Sequence, residues 1–273
     1  REFFQSILQL NDISAILVPQ HLPMKNVVMP TLVTDPAQLD EADPLAPVFP
    51  MNAAKIVSRL TRKPVGGKVA VVLRPCEIRA FIELVKLKQG RIEEVVLVGI
   101  DCLGTYKNAD YNQIIEKGET EFTLNFCRNI LSGNSEPVKG FDLTSACKSC
   151  EHPVPSNADI LIGLLGIDTN NHLIISAQTP KGEDLYGSLH LSRADEPPER
   201  AAAVESLIAE RTAYRDKMFA ETTEATNSLE NLTKYFANCI NCYNCRVACP
   251  VCYCKECVFS TDVFNHEPIQ YLR

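Results

Sequence analysis

The chain has 273 residues, 45% of them apolar, and a net charge of −7. That is enough to bury one large core or two; no apolar run reaches the roughly 20 residues of a membrane span, no signal peptide is visible, and no Lys/Arg block marks a nucleic-acid partner. Twelve cysteines in an acidic chain without secretory features argue for metal rather than disulfides, and for a reducing cytoplasm, free or peripheral to a membrane complex. The chain opens on Arg1 rather than Met and stops at Arg273 soon after its last cysteines, so it is expected to continue past both ends.

Residues 1–194 read as an α/β body. Val27–Val33, Val69–Leu73, Val95–Ile100 and Ile160–Leu165 are short apolar runs bounded by Gly, Pro or charge, the pattern of buried strands. His172–Thr179 follows an Asn-Asn turn and is a further strand. Glu77–Gly90 carries Ile78, Phe81, Ile82 and Val85 at helical spacing, with Gly90 as its stop. Strand, helix, strand is a βαβ unit, so the Val69 and Val95 strands are expected to be parallel neighbours.

Cys76 follows the first of these strands and opens the helix, where the helix N-terminus favours a thiolate. Cys102 ends the next strand. Cys147 and Cys150 form a C-x2-C on the loop before Ile160. Parallel strands bring Cys76 and Cys102 to one sheet edge, where open α/β sheets place ligands. On spacing alone two readings stand: four thiolates converging on one cubane, or two small buried cysteines beside a C-x2-C that holds zinc or nothing. Cys127, in FTLNFCRNI, reads as a core thiol, and the five histidines show no paired ligand spacing.

Residues 195–236, polar and rich in Ala and Glu, read as one or two solvated helices forming a linker. Residues 237–273 are a small ferredoxin-like module. Cys239, Cys242, Cys245 and Cys249 are spaced C-x2-C-x2-C-x3-C-P, the bacterial ferredoxin run for an iron–sulfur cluster. Two-residue gaps let a tight loop aim three thiolates at one cubane, and Pro250 stops the loop from continuing as helix. Cys249 serves this cluster or a further one, as the fourth cysteine does in two-cluster ferredoxins. Cys252, Cys254 and Cys257 are metal ligands, alternative ligands or small buried residues.

The ordered set VVLRPCEIRA, VGIDCLGTY and CKSCEHPVPSNADILIGLLG resembles the coenzyme F420 hydrogenase/dehydrogenase beta-subunit family over roughly residues 25 to 180. The carrying residues are Pro75-Cys76, Cys102, Cys147, Cys150, Ala158-Asp159-Ile160 and Gly163. The variant Arg-Pro-Cys-Glu-Ile-Arg, with a ferredoxin-type extension, is most similar to the formate dehydrogenase beta-subunit branch. The resemblance implies that Cys76, Cys102, Cys147 and Cys150 ligate a [4Fe-4S] cluster with FAD beside it. No G-x-G-x-x-G supports the flavin independently. Asn157, Asp159 and Gly163 are the flavin candidates, from the resemblance and from the habit of cofactors to gather at the carboxyl edge of parallel strands.

The expected function is an iron–sulfur flavoprotein subunit that moves electrons between a catalytic redox partner, of formate dehydrogenase or hydrogenase type, and F420, NAD(P) or a ferredoxin. No cysteine or histidine pattern suits molybdenum, tungsten or nickel, so activation of formate or hydrogen falls to the partner. The alternatives are a flavin-free cluster wire and a zinc-stabilised scaffold.

Overall fold

The computed structural model describes residues 1–23, 27–63, 66–116, 121–134, 138, 140–240 and 242–254. In chain order it runs α1 (Glu2–Leu8), β1 (Ile13–His21), β2 (Val28–Val33), α2 (Ala54–Leu60), β3 (Lys68–Leu73), α3 (Pro75–Lys86) and β4 (Val95–Ile100). There follow α4 (Asn108–Glu116), α5 (Phe122–Leu131), α6 (Ser145–Lys148), β5 (Ile160–Gly163), β6 (Ile174–Ala177), α7 (Pro180–Ser188), α8 (Glu199–Ala225), α9 (Leu229–Tyr235) and α10 (Asn244–Ala248). One six-stranded mixed sheet has the order β2-β1-β3-β4-β5-β6. Its four inner strands are parallel and its two outer strands antiparallel. The α/β body and the β3-α3-β4 unit are thus as the apolar runs predict.

The inner strands are apolar on both faces because both faces are covered. Ala15, Leu17, Val69, Val71, Leu73, Val95 and Leu97 pack under α2 and α3 on Val57, Ile78, Phe81 and Leu84. The alternate residues, among them Ile16, Val18, Ala70, Val72, Val96 and Val98, pack with Phe4 and Ile7 of α1, Tyr111 and Ile114 of α4, and Phe122 and Phe126 of α5. Each such buried aliphatic or aromatic side chain contributes about 1.5–3 kcal/mol.

β1 is a strand beyond those expected from the sequence, and a proline such as its Pro19 is normally excluded from a strand inside a sheet. The register removes the conflict. β1 pairs with β3 only as far as Leu17, so Pro19 faces β2 alone, opposite Pro30. The helix stop also differs from expectation. α3 ends at Lys86 with Leu87 as its cap, and Lys88, not Gly90, takes the left-handed conformation with φ 59°. Gly90 is small for packing: a Cβ there would lie 3.1 Å from the Phe81 ring and 3.2 Å from Ser58.

The loop before β5 folds back along the sheet. The Cys102 N–H donates to the Pro153 carbonyl at 2.7 Å, and the Asp159 N–H to the Leu97 carbonyl at 2.8 Å. Residues 153–158 therefore descend over β4 and turn at Asn157, φ 65°, before β5 climbs again. Gly99 makes this crossing possible, because a Cβ there would lie 2.5 Å from the Pro155 Cβ. Gly99→Ala is expected to destabilise the protein by about 1–3 kcal/mol through overpacking, read as a lowered urea midpoint with an unchanged slope.

Candidate metal centre

Three segments deliver cysteines to the carboxyl edge of β3 and β4. Cys76 is the second residue of α3, after Pro75. The Glu77 carboxylate fixes this turn, accepting from the Arg74 N–H and the Ala53 N–H, each at 2.9 Å. Cys102 lies two residues beyond β4, tied to Pro153. The loop after it can approach the third segment because residue 104 is glycine: φ is 102°, and a Cβ would stand 2.9 Å from Leu143 and 3.5 Å from the Cys147 Cβ. The Thr144 N–H donates to the Thr105 carbonyl at 2.9 Å, and the Thr105 hydroxyl lies 3.3 Å from the Cys147 sulfur. Cys150 is one turn on, its N–H donating to the Cys147 carbonyl at 3.2 Å.

The thiols sense one another. Burial pushes Cys76 well above the usual thiol range, helped by charge on Glu77, Cys102 and Cys147 and opposed by Arg74. Cys76 is exposed to solvent, yet the protein packed around it is dense enough for burial to set the direction. Burial likewise raises Cys102, opposed by Arg74; charge on Cys147 raises it further, while the Gly104 N–H and Arg211 oppose. The helix N-terminus behind Cys76 is present as expected, yet protein groups alone do not give the lowered thiol that it predicts. Mutually repelling buried thiols are what a shared cationic centre relieves. Among the described residues, no three His, Cys, Asp or Glu side chains are drawn in as tightly as one ion draws its ligands. A four-iron cubane takes its thiolates at separate iron corners, and so farther apart.

The expected solvated linker is only half solvated. α8 lies along the body and supplies groups that the sequence analysis did not assign. Arg200 and Asp101 are 4% and 2% exposed and form a two-pronged pair of 2.7 and 3.1 Å. The same carboxylate accepts from the N–H groups of Leu164 and Leu165 at 2.8 and 3.2 Å. Gly166, φ 76°, admits the helix, since a Cβ there would lie 2.5 Å from the Arg200 Cα. Further along α8, Arg211 donates to the Cys102 carbonyl at 3.1 Å. Arg215 pairs with Glu151, and Lys148 sits 4.7 Å above the Tyr214 ring.

The flavin candidates fall at opposite ends of β5. Asn157 is exposed, and the Asp159 carboxylate is occupied. It accepts from the Leu97 N–H at 2.8 Å and the Thr179 hydroxyl at 2.6 Å, with Lys181 at 3.5 Å. Leu97 is five residues of extended chain before Cys102, about 16 Å along the strand. Gly163 stands at the carboxyl edge with the cysteines, but backs onto the Arg200 guanidinium, 2.8 Å from where a Cβ would be.

A cavity of about 530 Å³ opens instead above the carboxyl ends of β1, β4 and β5, walled by Phe4, Ile100, Tyr111, Ile162 and Leu164. Pro44, Leu45 and Ile100 also line the narrow cleft that reaches Arg74 and Cys102. Its polar corner is His21, whose Nε2 lies 3.0 Å from Asp43, with the Thr123 hydroxyl donating to the same carboxylate at 2.7 Å. No spacing rule flags this trio, which comes from three separate segments. Cys127 is a buried core thiol nearby, as expected, pushed up to about 12 by burial.

In the second cysteine run, Tyr243 adopts φ 57° and caps the start of α10, and Cys249 caps its end ahead of Pro250. The Cys249 N–H donates to the Cys245 carbonyl at 3.0 Å. Cys239, Cys242, Cys245 and Cys254 are exposed, Cys249 and Cys252 half-buried, and Cys257 lies outside the described residues. The run touches the body where the Lys55 ammonium meets the Val247 carbonyl at 3.4 Å and where Val251 packs on the α2/α3 face.

Two outcomes follow from these pairs. Asp101→Asn leaves the buried Arg200 with only the exposed Glu196 carboxylate, 3.2 Å away, and is expected to cost about 3 kcal/mol of stability, measured by urea unfolding. Its bond to Asp43 raises His21 above its ordinary value, partly opposed by burial. A raised histidine stabilises fully below about pH 6.5 and loses that stability as pH rises through its folded value. Asp43→Asn should flatten this slope in unfolding measured across pH 6–8.

Residues 66–194 match the family described as the C terminus of the coenzyme F420 hydrogenase/dehydrogenase beta subunit. The F420-dependent formate dehydrogenase 1 subunit beta of Methanococcus maripaludis is 27% identical over 230 residues, covering 72% of this chain and 57% of that protein. The F420-dependent formate dehydrogenase subunit beta of Methanocaldococcus jannaschii is 27% identical over 261 residues, covering 88% of this chain and 68% of that protein. The chain thus spans little more than half of the first relative and about two thirds of the second. Among solved structures, a chain from the F420-reducing [NiFe] hydrogenase complex of Methanosarcina barkeri superposes with a TM-score of 0.58 at 15% identity, covering 83% of this chain and 85% of that one. That likeness carries the fold, and the matched segment, residues 66–194, which spans all four body cysteines, is similar to the C-terminal part of coenzyme F420 hydrogenase/dehydrogenase beta subunits.

Proposed function

We propose that this chain is an electron-transfer subunit of an oxidoreductase complex, an iron–sulfur flavoprotein of the formate dehydrogenase beta type. The observation that carries the reading is the convergence of Cys76, Cys102, Cys147 and Cys150 from three segments on one sheet edge, where the Thr105 hydroxyl meets the Cys147 sulfur and Gly104 lets the Cys102 loop approach the Cys147 turn. The donor set fits a [4Fe-4S] cluster: four thiols, with the neighbouring carboxylates already engaged, Glu77 by backbone N–H groups, Asp101 by Arg200 and Glu151 by Arg215. A cluster held there supplies one-electron transfer. Cys239, Cys242 and Cys245, with Cys249 in the same role or serving a further cluster, fit a second centre by their spacing. The contacts of Lys55 and Val251 set that run beside α2, next to the turn that carries Cys76.

For FAD the proposed place moves from Asn157 and Asp159 to the cavity above β1, β4 and β5. Its apolar walls fit a flavin ring, and Ile100, Pro44 and Leu45 separate it from the Cys102 cleft by one layer of side chains. There the flavin would supply two-electron chemistry. His21, oriented by Asp43 and Thr123, is positioned to hold or give a proton at Nε2 or Nδ1 at the polar corner, and the apolar walls exclude water. A molybdenum, tungsten or nickel partner would activate the substrate, and F420, NAD(P) or a ferredoxin would exchange electrons with this chain. Among the described residues no helix is long and apolar enough to cross a membrane.

The test is metal, sulfide and flavin analysis of the full chain reconstituted anaerobically with iron, sulfide and FAD. We expect about eight iron atoms for two cubanes, with about four lost in Cys102→Ser and a separate four in Cys242→Ser. Iron content that neither substitution lowers would refute the assignment. Zinc without sulfide would favour a scaffold, and iron without flavin a cluster wire.

A further inference from the structure

Arg211 is buried at 5% exposure in the middle of α8. Its guanidinium donates to the Cys102 carbonyl at 3.1 Å. The ion pairs of α8 fall on Arg200, Arg215 and their partners, and among the described residues no carboxylate pairs with Arg211. Buried charges are normally paired, because desolvation is costly without a counter-ion. Arg200, eleven residues earlier on the same helix, obeys this rule with Asp101. Arg211 does not.

A second guanidinium approaches Cys102 from the opposite element. Arg74 donates to the carbonyls of Val48 at 2.9 Å and Ala46 at 2.7 Å, and lies 5.3 Å over the Phe49 ring. Among the described residues neither guanidinium forms an ion pair with a carboxylate, and Arg74 lines the narrow cleft that reaches Cys102. Two cations held by carbonyls and, for Arg74, an aromatic ring, beside a cluster of thiols, call for an anion at that spot. A cubane with four thiolates is such an anion, and it gains a further negative charge on reduction.

We propose that Arg211 is a positioning residue for the body cluster: it clamps the Cys102 loop to α8 and places its charge where it favours the reduced state. This rests on the cluster reading above and assigns a redox role to a helix that the sequence presents as a linker. A positive charge fixed near a centre stabilises the added electron and raises the potential.

The experiment compares Arg211→Gln and Arg211→Lys in the full chain, reconstituted anaerobically with iron and sulfide. Redox titration is followed by electron paramagnetic resonance on the signal that Cys102→Ser abolishes. Arg211→Gln is expected to shift the oxidised-to-reduced ratio at fixed ambient potential about tenfold toward oxidised, which is about 59 mV for a one-electron couple. Arg211→Lys should stay within about twofold of the parent. If Arg211→Gln loses that cluster's iron while Arg211→Lys keeps it, occupancy carries the same conclusion. An unchanged ratio in Arg211→Gln, or equal shifts in both variants, overturns the proposal while leaving the cluster intact. A parent protein with no iron that Cys102→Ser removes overturns the cluster reading, and this inference with it.

Discussion

The pair between Asp101 and Arg200 is the constraint on which the carboxyl edge of the sheet depends. One carboxylate, 2% exposed, meets a guanidinium through two bonds and takes two backbone N–H groups from the turn after β5. It thereby joins the end of β4, the exit of β5 and the start of α8. Such a pair adds little net stability over an apolar contact, but it tolerates no loss of one partner. What it provides is placement. With Arg200 fixed, α8 has one direction in which to run, and Arg211 and Arg215 arrive at Cys102 and Glu151.

The same logic of close approach recurs at the glycines. Gly99 lets residues 153–158 lie over β4, and Gly104 lets the Cys102 loop meet the Cys147 turn. Both approaches bring a segment late in sequence back to the carboxyl edge. A C-x2-C that precedes β5 would otherwise sit at the amino end of that parallel strand, remote from Cys76 and Cys102. The fold-back converts a sequence position before the strand into a spatial position beyond its neighbour's end.

Much of this was legible in the sequence. Four of the strands announce themselves as apolar runs, the inner three because strands covered on both faces need little else, and β6 by the Asn-Asn turn before it. The cysteines announce themselves by spacing and by their place at strand ends. What the sequence hid depends on register and long-range contact. β1 hid behind Pro19, whose harmlessness follows only from where β3 stops pairing. Arg200 and Arg211 hid in a polar, Ala- and Glu-rich segment that looks solvated, since a few buried arginines hardly alter its composition. Asp159 looked like a cofactor residue because it sits in a family motif; its oxygens serve Leu97 and Thr179. His21, Asp43 and Thr123 share a cavity without any common spacing.

The docking of α8 also sets a schedule for making the protein. The helix is 27 residues, or about 40 Å, long, and it follows all four body cysteines in the chain. During synthesis, which proceeds from the N-terminus, those cysteines and their sheet edge leave the ribosome before Arg200 and Arg211 do. Until α8 closes over them, the thiol-bearing loops lack the clamp on Cys102 and stand open from that side. Between release of Cys150 and docking of α8, the sheet edge that carries these cysteines is therefore more accessible than in the finished fold.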